Sequence, residues 1–307
     1  MENTRVGKFS KDGTILLKVP QDFEGQYVVP EGIVTIGKAA FAGCEGLTSV
    51  DVPESVDEIG KRAFSKCKNL RLINIPSNIK KLATSLFMGC SNIEYIEFPK
   101  DLETIGSGAF WGCSSLKTIK IPKSVNRIYP CAFHGCSSLM SVEIQGRISQ
   151  VEQQTFCWCE ALTSITLPDS VLRIGAAAFK GCTSLKTVSI PNNVSEIGIE
   201  AFRGCTSLEF ILIPERVKRI DNAAFKRCSS LSSVVISEKI QSISKSAFFG
   251  CPVVLPPSIA NKIQKKEKVK NTATPESHPQ EPLSSRKGCF FSMLELLSSL
   301  FTRKAKK

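Results

Sequence analysis

The fold is decided by the 23 residues from position 40 to position 62, which read AFAGCEGLTSVDVPESVDEIGKR. Residues 63–85 read AFSKCKNLRLINIPSNIKKLATS and keep phenylalanine, cysteine and leucine at the same places. Ten cysteines follow this interval without an insertion: Cys44, Cys67, Cys90, Cys113, Cys136, Cys159, Cys182, Cys205, Cys228 and Cys251. Three positions before each lies a phenylalanine: Phe41, Phe64, Phe87, Phe110, Phe133, Phe156, Phe179, Phe202, Phe225 and Phe248. Such regular spacing indicates repetition of one unit rather than two ordinary domains.

The residues of one unit predict its local structure. Val50 and Val52 alternate with polar residues, as a short strand with one buried face requires, and Pro53 ends that strand. Residues 56–60 predict a second short extended segment that ends at a turn glycine. The Ala-Phe-x-Gly-Cys piece is predicted to be one helical or 3₁₀ turn that buries Phe and Cys. Because no unit can bury its phenylalanine alone, ten units should stack into a mostly β leucine-rich-repeat solenoid.

The repeated unit, A-F-x-G-C-x-x-L-x-x-I-x-I-P-x-x-V-x-x-I-G, closely resembles the BspA-like leucine-rich repeat of the Treponema pallidum type. The resemblance covers residues from about 30 to 256, and residues 9–14 and 27–30 resemble the short cap before such arrays. It implies a surface-associated adhesion or interaction protein, as found in bacteria and protists, without catalytic residues in the repeats. Gln145 and Ser237 replace the strand-ending proline, and Glu152 replaces the turn glycine.

Changes of composition along the chain predict four segments. Residues 1–30 form an N-terminal cap and residues 31–256 the repeat array. Residues 257–288 form a basic, proline-rich linker, and residues 289–307 an amphipathic helix with basic flanks.

Composition and charge exclude several classes of protein. With 42% apolar residues the chain is not globally disordered, and it lacks the run of about 18–20 apolar residues that a membrane-spanning helix needs. Residues 1–5 lead into no apolar stretch, so no secretory signal peptide is predicted. We therefore expect a cytoplasmic protein or one peripheral to a membrane, whereas the resemblance implies the cell surface. Residues 257–307 carry 11 Lys and Arg against 4 Glu, most of the net charge of +12, so the repeats are a poor candidate for nucleic-acid binding.

Neither the cysteines nor the histidines predict catalysis. Evenly spaced thiols fit buried small-residue positions of a reduced core better than disulfides between coils. Cys157 and Cys159 lack the spacing and the second pair of a zinc knuckle. The two histidines, His134 and His278, accompany no nucleophile motif. We expect no enzyme activity, no cofactor and no metal.

In a solenoid, each sequence column becomes one stripe of surface. The column after each phenylalanine is bulky and apolar in the middle repeats, at Met88, Trp111 and His134, and Trp158 joins them from the next column, where other repeats have glycine or a basic residue. These four residues predict a partner-binding ridge. The first of these two columns is basic in later repeats, at Lys180, Arg203 and Lys226. Alternatively, the apolar side chains lie over the turn and only cover backbone.

The outward columns of the first strand are mostly small and polar, with one exception. Phe210, Leu212 and Val235 are apolar at adjacent repeats, which predicts an exposed contact site. Burial under the C-terminal tail is the alternative.

The tail holds an apolar stretch of helix length between basic residues: Cys289, Phe290, Phe291, Met293, Leu294, Leu296, Leu297, Leu300 and Phe301. It is too short to span a bilayer but suits the interface of an anionic membrane, with Cys289 as an acylation candidate. The alternatives are a helix that docks a partner and a helix that caps the solenoid.

These observations predict a non-catalytic interaction scaffold, surface-antigen or adhesion-like, which binds an unknown protein partner through its solenoid faces. The alternative is an intracellular adaptor or regulatory protein without membrane contact.

Overall fold

The computed structural model describes residues 6–263. The predictions for the tail, including Cys289 and the apolar residues after it, lie outside the described residues. The described part holds short strands and one helical turn: β1 Lys8–Phe9, β2 Ile15–Lys18, β3 Gly25–Val28, β4 Thr35–Ile36, β5 Leu47–Asp51, β6 Glu58–Ile59, β7 Leu72–Ile73, β8 Lys81–Leu82, β9 Thr104–Ile105, β10 Thr118–Ile121, β11 Arg127–Ile128, β12 Ser141–Ile144, β13 Gln150–Val151, β14 Ser164–Thr166, β15 Arg173–Ile174, β16 Thr187–Ser189, β17 Glu196–Ile197, β18 Phe210–Ile213, β19 Arg219–Ile220, β20 Ser233–Ile236, β21 Ser242–Ile243 and α1 Pro257–Ala260.

The strands form two rows along the solenoid. The first row, which contains the outward columns described above, comprises sheets β3-β5-β7, β10-β12-β14-β16 and β18-β20. The second row comprises sheets β1-β2-β4-β6, β8-β9-β11 and β13-β15-β17-β19-β21. Pairing is parallel except between β1 and β2. The predicted solenoid of 23-residue coils is therefore confirmed.

The register places equivalent residues of successive units beside one another. In the first row Thr118 pairs with Ser141, Ser141 with Ser164, and Ser164 with Thr187. Since side chains alternate across a strand, each column keeps one side throughout the array.

The corners around the phenylalanines are successive single turns, closed by hydrogen bonds between residues three apart as in a 3₁₀ turn, and they do not continue into a helix. Their amides alternate between two kinds of acceptor. The Phe41 N–H donates to the Ala63 carbonyl of the next coil at 2.8 Å, whereas the Ala42 N–H donates to the Ala39 carbonyl of its own turn at 3.1 Å. Because every second amide leaves the turn for the neighbouring coil, no helical ladder of hydrogen bonds can continue.

The phenylalanines form one continuous stack from Phe41 to Phe248. Successive ring centroids lie 4.9 to 5.6 Å apart, with the largest angle between neighbouring planes at 23°. Nine of these rings, from Phe41 to Phe225, are fully buried. Each repeat therefore depends on its neighbours for burial of its largest side chain.

The cysteine column is a second ladder inside the coils. The Cys113 thiol donates to the Phe87 carbonyl at 3.2 Å, and the Cys136 thiol donates to the Phe110 carbonyl at 3.2 Å. The twelve cysteines of the described part are free thiols, as the spacing predicted. The thiols thus satisfy corner carbonyls as well as filling space.

Both described ends of the array are covered by apolar side chains. At the N-terminal end, Tyr27 meets Phe41 edge to face, with centroids 5.0 Å apart. At the C-terminal end, Ile259 of α1 is buried and Ile263 bridges Ile243. The folded unit therefore continues past the boundary expected at residue 256.

Candidate interaction surfaces

The predicted apolar ridge is interrupted at its first member. Met88 is only 7% exposed, so it does not belong to an exposed ridge as predicted. Burial of an unbranched thioether side chain is favourable, because it removes apolar surface from water. Trp111 and His134 are half-buried, and Trp158 is 43% exposed.

Trp111 and His134 lie on adjacent coils as a ring pair. Their centroids are 4.4 Å apart and their planes meet at 33°. Burial lowers the pKa of His134 to about 4, and the positive charge of Lys180 acts in the same direction. His134 Nδ1 is a buried polar atom without a hydrogen-bond partner among the described residues. The imidazole is thus neutral at physiological pH and serves as a ring for packing.

Trp158 has a backbone conformation that favours glycine. The residue two positions after the phenylalanine has a positive φ at Gly43, Lys66, Gly89, Gly112, Gly135, Trp158, Gly181, Gly204, Arg227 and Gly250. At Trp158 this φ is 60°. A bulky residue in the left-handed region is uncommon and costs roughly 1–2 kcal/mol. The sequence carried this signal, because tryptophan replaces glycine in that column.

The predicted basic stripe includes a carboxylate that the column analysis missed. Glu200 pairs with Lys180 at 2.7 Å and also with Arg203, which lies three residues further along the chain. Burial opposes ionisation of Glu200, but hydrogen bonds from the two cations outweigh it and lower the pKa of this carboxyl. The stripe is therefore partly neutralised, and its first two cations are fixed in place.

The predicted apolar cluster of the strand face is exposed among the described residues. Phe210 and Leu212 are each 45% exposed, and Val235 is 49% exposed. Leu212 pairs with Val235 in the parallel register between β18 and β20. Phe210 and Leu212 alternate along β18, so all three side chains lie on one side of the sheet. We call these three residues the strand-face patch.

A second apolar pair on this face was not singled out from the sequence. Leu72 is 69% exposed and Tyr95 is 59% exposed. They occupy the same column as Phe210, on neighbouring coils near the start of the array. The signal was present, since both break the small, polar pattern of that column.

The thiols of the described part have the properties of core residues. Burial raises the pKa of Cys157 to about 12 and that of Cys44 to about 11. A thiol with such a pKa is a poor nucleophile near neutral pH. Within residues 6–263 no group of three or more His, Cys, Asp or Glu side chains is arranged to hold a metal ion.

The sequence matches the family described as the BspA type leucine rich repeat region (6 copies) over residues 25–140 and 149–265. Those two ranges cover most of the chain. The protein belongs to the BspA-type leucine-rich-repeat family. No curated protein matches this BspA-type sequence.

Solved bacterial leucine-rich-repeat proteins are similar in structure to this BspA-type chain. A protein from Bacteroides ovatus is 25% identical, with a TM-score of 0.50, over 83% of this chain and 94% of that one. The T. pallidum leucine-rich-repeat protein is 27% identical, with a TM-score of 0.50, over 68% of this chain and 90% of that one. A protein from Eubacterium ventriosum, 21% identical, shares the fold with a TM-score of 0.52 over 76% of this chain and 66% of that one. In the part of this chain that the structure describes, no helix is long and apolar enough to cross a membrane.

Proposed function

We propose that this BspA-type chain is a non-catalytic scaffold that binds another protein through the strand-face patch of Phe210, Leu212 and Val235. The observation that supports the proposal is their joint exposure on one rigid sheet surface. Covering exposed apolar side chains with a partner is favourable, by about 25 cal/mol for each Å² of apolar surface removed from water. A contiguous exposed apolar patch on a folded domain is therefore typical of a contact site.

The surroundings of the patch favour a protein partner. Thr187 and Ser189 on the preceding strand are exposed and polar, and Ser233 pairs with Phe210. An apolar centre with a polar border is the usual composition of a protein interface. The parallel ladder holds the strands in place, so little conformational entropy is lost when a partner binds.

The experiment compares the full chain with two variants, each of which carries one substitution to glutamate. Leu212→Glu places a carboxylate in the patch, whereas Thr166→Glu places one in the same column two coils earlier, at an exposed polar position. The free energy of unfolding of both variants should lie within about 0.5 kcal/mol of that of the wild type, because neither residue is buried. The three chains are immobilised and exposed to an extract of the source cells. Proteins that bind the wild type and Thr166→Glu but not Leu212→Glu are purified, and the Kd of each for the three chains is measured by calorimetry. We expect a loss of at least about ten-fold for Leu212→Glu; equal retention by both variants would contradict the proposal.

Two observations bear on where in the cell the scaffold acts, and they favour different locations. The family resemblance favours a surface or adhesion role. The twelve free thiols favour a reducing compartment and hence an intracellular adaptor. Fractionation of the source cells, with protease treatment of intact cells, distinguishes the two: degradation supports the surface role and protection supports the adaptor.

The C-terminal sequence supports a further contact with an anionic membrane. In flotation with liposomes that contain phosphatidylserine, the full chain should float at low salt and less at high salt. A variant with Leu294→Glu and Leu297→Glu should stay at the bottom of the gradient. Failure of the full chain to float at low salt would remove membrane binding from the proposal, and equal flotation of both chains would exclude Leu294 and Leu297 as its source.

A further inference from the structure

One corner of the solenoid, on a different side of the coils from the strand-face patch, combines an exposed tryptophan with basic residues. We define the corner edge as the five residues centred on each of Phe156, Phe179, Phe202, Phe225 and Phe248. It contains the basic residues Lys180, Arg203, Lys226 and Arg227 and the single acidic residue Glu200. Its net charge is positive, and the charge begins on the coil that follows Trp158.

Trp158 begins this edge under strain. Its φ of 60° lies in the left-handed region, in a column where glycine stands in seven of the ten coils. Lys66 and Arg227 are the other two exceptions, and both are flexible side chains. Eleven non-glycine residues of the described part have a positive φ, so the corners of the fold hold this conformation regularly. Trp158 differs from the others in carrying a large apolar side chain that stays partly exposed.

The indole of Trp158 is seated on the next coil. A methyl group added at Gly181 would lie 2.8 Å from both Cδ2 and Cζ3 of the ring, which is closer than packed atoms come. The ring therefore lies against the backbone of Gly181, while 43% of the residue stays exposed to solvent. This arrangement presents a fixed apolar surface beside the cations.

Glu200 fixes the orientation of the nearest cations. It holds Lys180 and Arg203, whose side chains are only 27% and 30% exposed. Half-buried cations with limited freedom bind a carboxylate with a smaller loss of side-chain entropy than mobile surface lysines do. Further along the edge, Lys226 Nζ lies 5.3 Å from the ring centroid of Phe249, which is 63% exposed.

We infer that the corner edge from Trp158 to Phe249 binds an acidic segment of a protein, with an apolar side chain of that segment on the indole. Carboxylates of the segment pair with Arg203, Lys226 and Arg227. Tryptophan and arginine are the residues that most often dominate protein interfaces. A sulfated polysaccharide would need a row of cations alone, and it would leave the exposed apolar indole without a contact. This second site goes beyond the strand-face patch and does not depend on it.

Selection of peptides from a random 12-residue phage library on the immobilised full chain tests the inference. Selected peptides are then synthesised, and their Kd values are measured by fluorescence anisotropy. We expect sequences rich in Asp and Glu with one aromatic or leucine residue. The Trp111→Phe variant leaves Trp158 as the only tryptophan, so its emission should shift when such a peptide binds.

Matched variants separate binding from folding. Trp158→Gly removes the indole without a change of charge and places the residue that seven of the ten coils carry in this column, so it should weaken binding about ten-fold or more. Gly181→Ala should also weaken binding because it displaces the indole. Gly112→Ala is the control: it lies outside the corner edge and has the same left-handed strain, but its new methyl group meets only Gly89 Cα at 3.9 Å and Gly89 N at 4.0 Å, so binding should persist.

Three results would overturn the inference. They are selected peptides without acidic residues, unchanged affinity in Trp158→Gly, and binding of heparin fragments by a chain that binds no acidic peptide. Leu212→Glu should bind the acidic peptides as the wild type does, so a failure of the strand-face proposal can be distinguished from a failure here.

Discussion

The indole of Trp158 and the backbone of Gly181 are in direct contact across two successive coils. The contact lies in the column where glycine predominates and where Trp158 itself has a φ of 60°. Gly181 thus has two roles, because its own φ of 75° suits glycine and its missing side chain leaves room for the ring.

A double-mutant cycle measures this contact. Gly204→Ala should lower the free energy of unfolding by about 1–2 kcal/mol, the cost of a left-handed alanine. Gly181→Ala should cost about 1–3 kcal/mol more, because it also crowds the indole. In a Trp158→Gly background the two substitutions should cost the same, as measured by urea unfolding. A difference that survives in that background would show that the ring does not lie on Gly181.

The phenylalanine stack predicts a position-dependent cost of truncation. Phe133 is fully buried between Phe110 and Phe156, whereas Phe248 is partly buried and stacks on Phe225 alone among the described residues. Phe133→Ala should therefore cost about 3–5 kcal/mol, and Phe248→Ala clearly less. Equal shifts of the urea midpoint in the two variants would argue against coupling through neighbouring rings.

Much of this architecture could be predicted from the spacing alone. The coils, the buried phenylalanine and cysteine columns, and the exposure of Phe210, Leu212 and Val235 all follow from a fixed period, because the period determines which residues share a side. The burial of Met88 could not be predicted, since a column fixes where a side chain begins and not how much of a flexible side chain its surroundings cover. Whether the exposed residues bind a partner stays a prediction.

The corners could be predicted less well than the strands. The Ala-Phe-x-Gly-Cys pattern suits a helical turn locally, but the neighbouring coil takes every second amide, which is a tertiary effect. Glu200 belongs to a different column from Lys180 and Arg203, so reading one column at a time missed their ion pairs. The hydrogen bonds from thiols to phenylalanine carbonyls likewise join residues 26 positions apart.

Acid should destabilise the fold through His134. Its pKa falls from about 6.5 to about 4 on folding, so the unfolded chain binds the proton more tightly between those values. The contribution of the neutral His134 to stability is fully present above about pH 6.5 and is lost as the pH falls toward 4. In urea unfolding, the free energy of unfolding of the wild type should fall by about 2 kcal/mol more than that of His134→Gln when the pH is lowered from 7.5 to 5. Parallel pH profiles of the two proteins would refute a buried neutral imidazole.

Alkali should destabilise the fold through the buried thiols. Burial raises the pKa of Cys157 to about 12 and also raises that of Cys136, so the folded chain keeps protons that the unfolded chain releases. Stability is therefore full below about pH 9 and falls as the pH rises, by up to about 1.4 kcal/mol per pH unit for each such thiol. The decline between pH 9 and pH 10.5 should be shallower in Cys136→Ala, whereas rapid alkylation of the native thiols at pH 9 would contradict their burial.

The central claim is that the strand-face patch is a protein interface. A photoreactive benzoylphenylalanine placed at Leu212 should crosslink to a specific partner in extracts of the source cells, because that position lies in the patch. The same residue at Thr166, on the same face two coils earlier, should give little or no crosslinked product. Equal crosslinking from both positions, or crosslinking from position 166 alone, would contradict the claim.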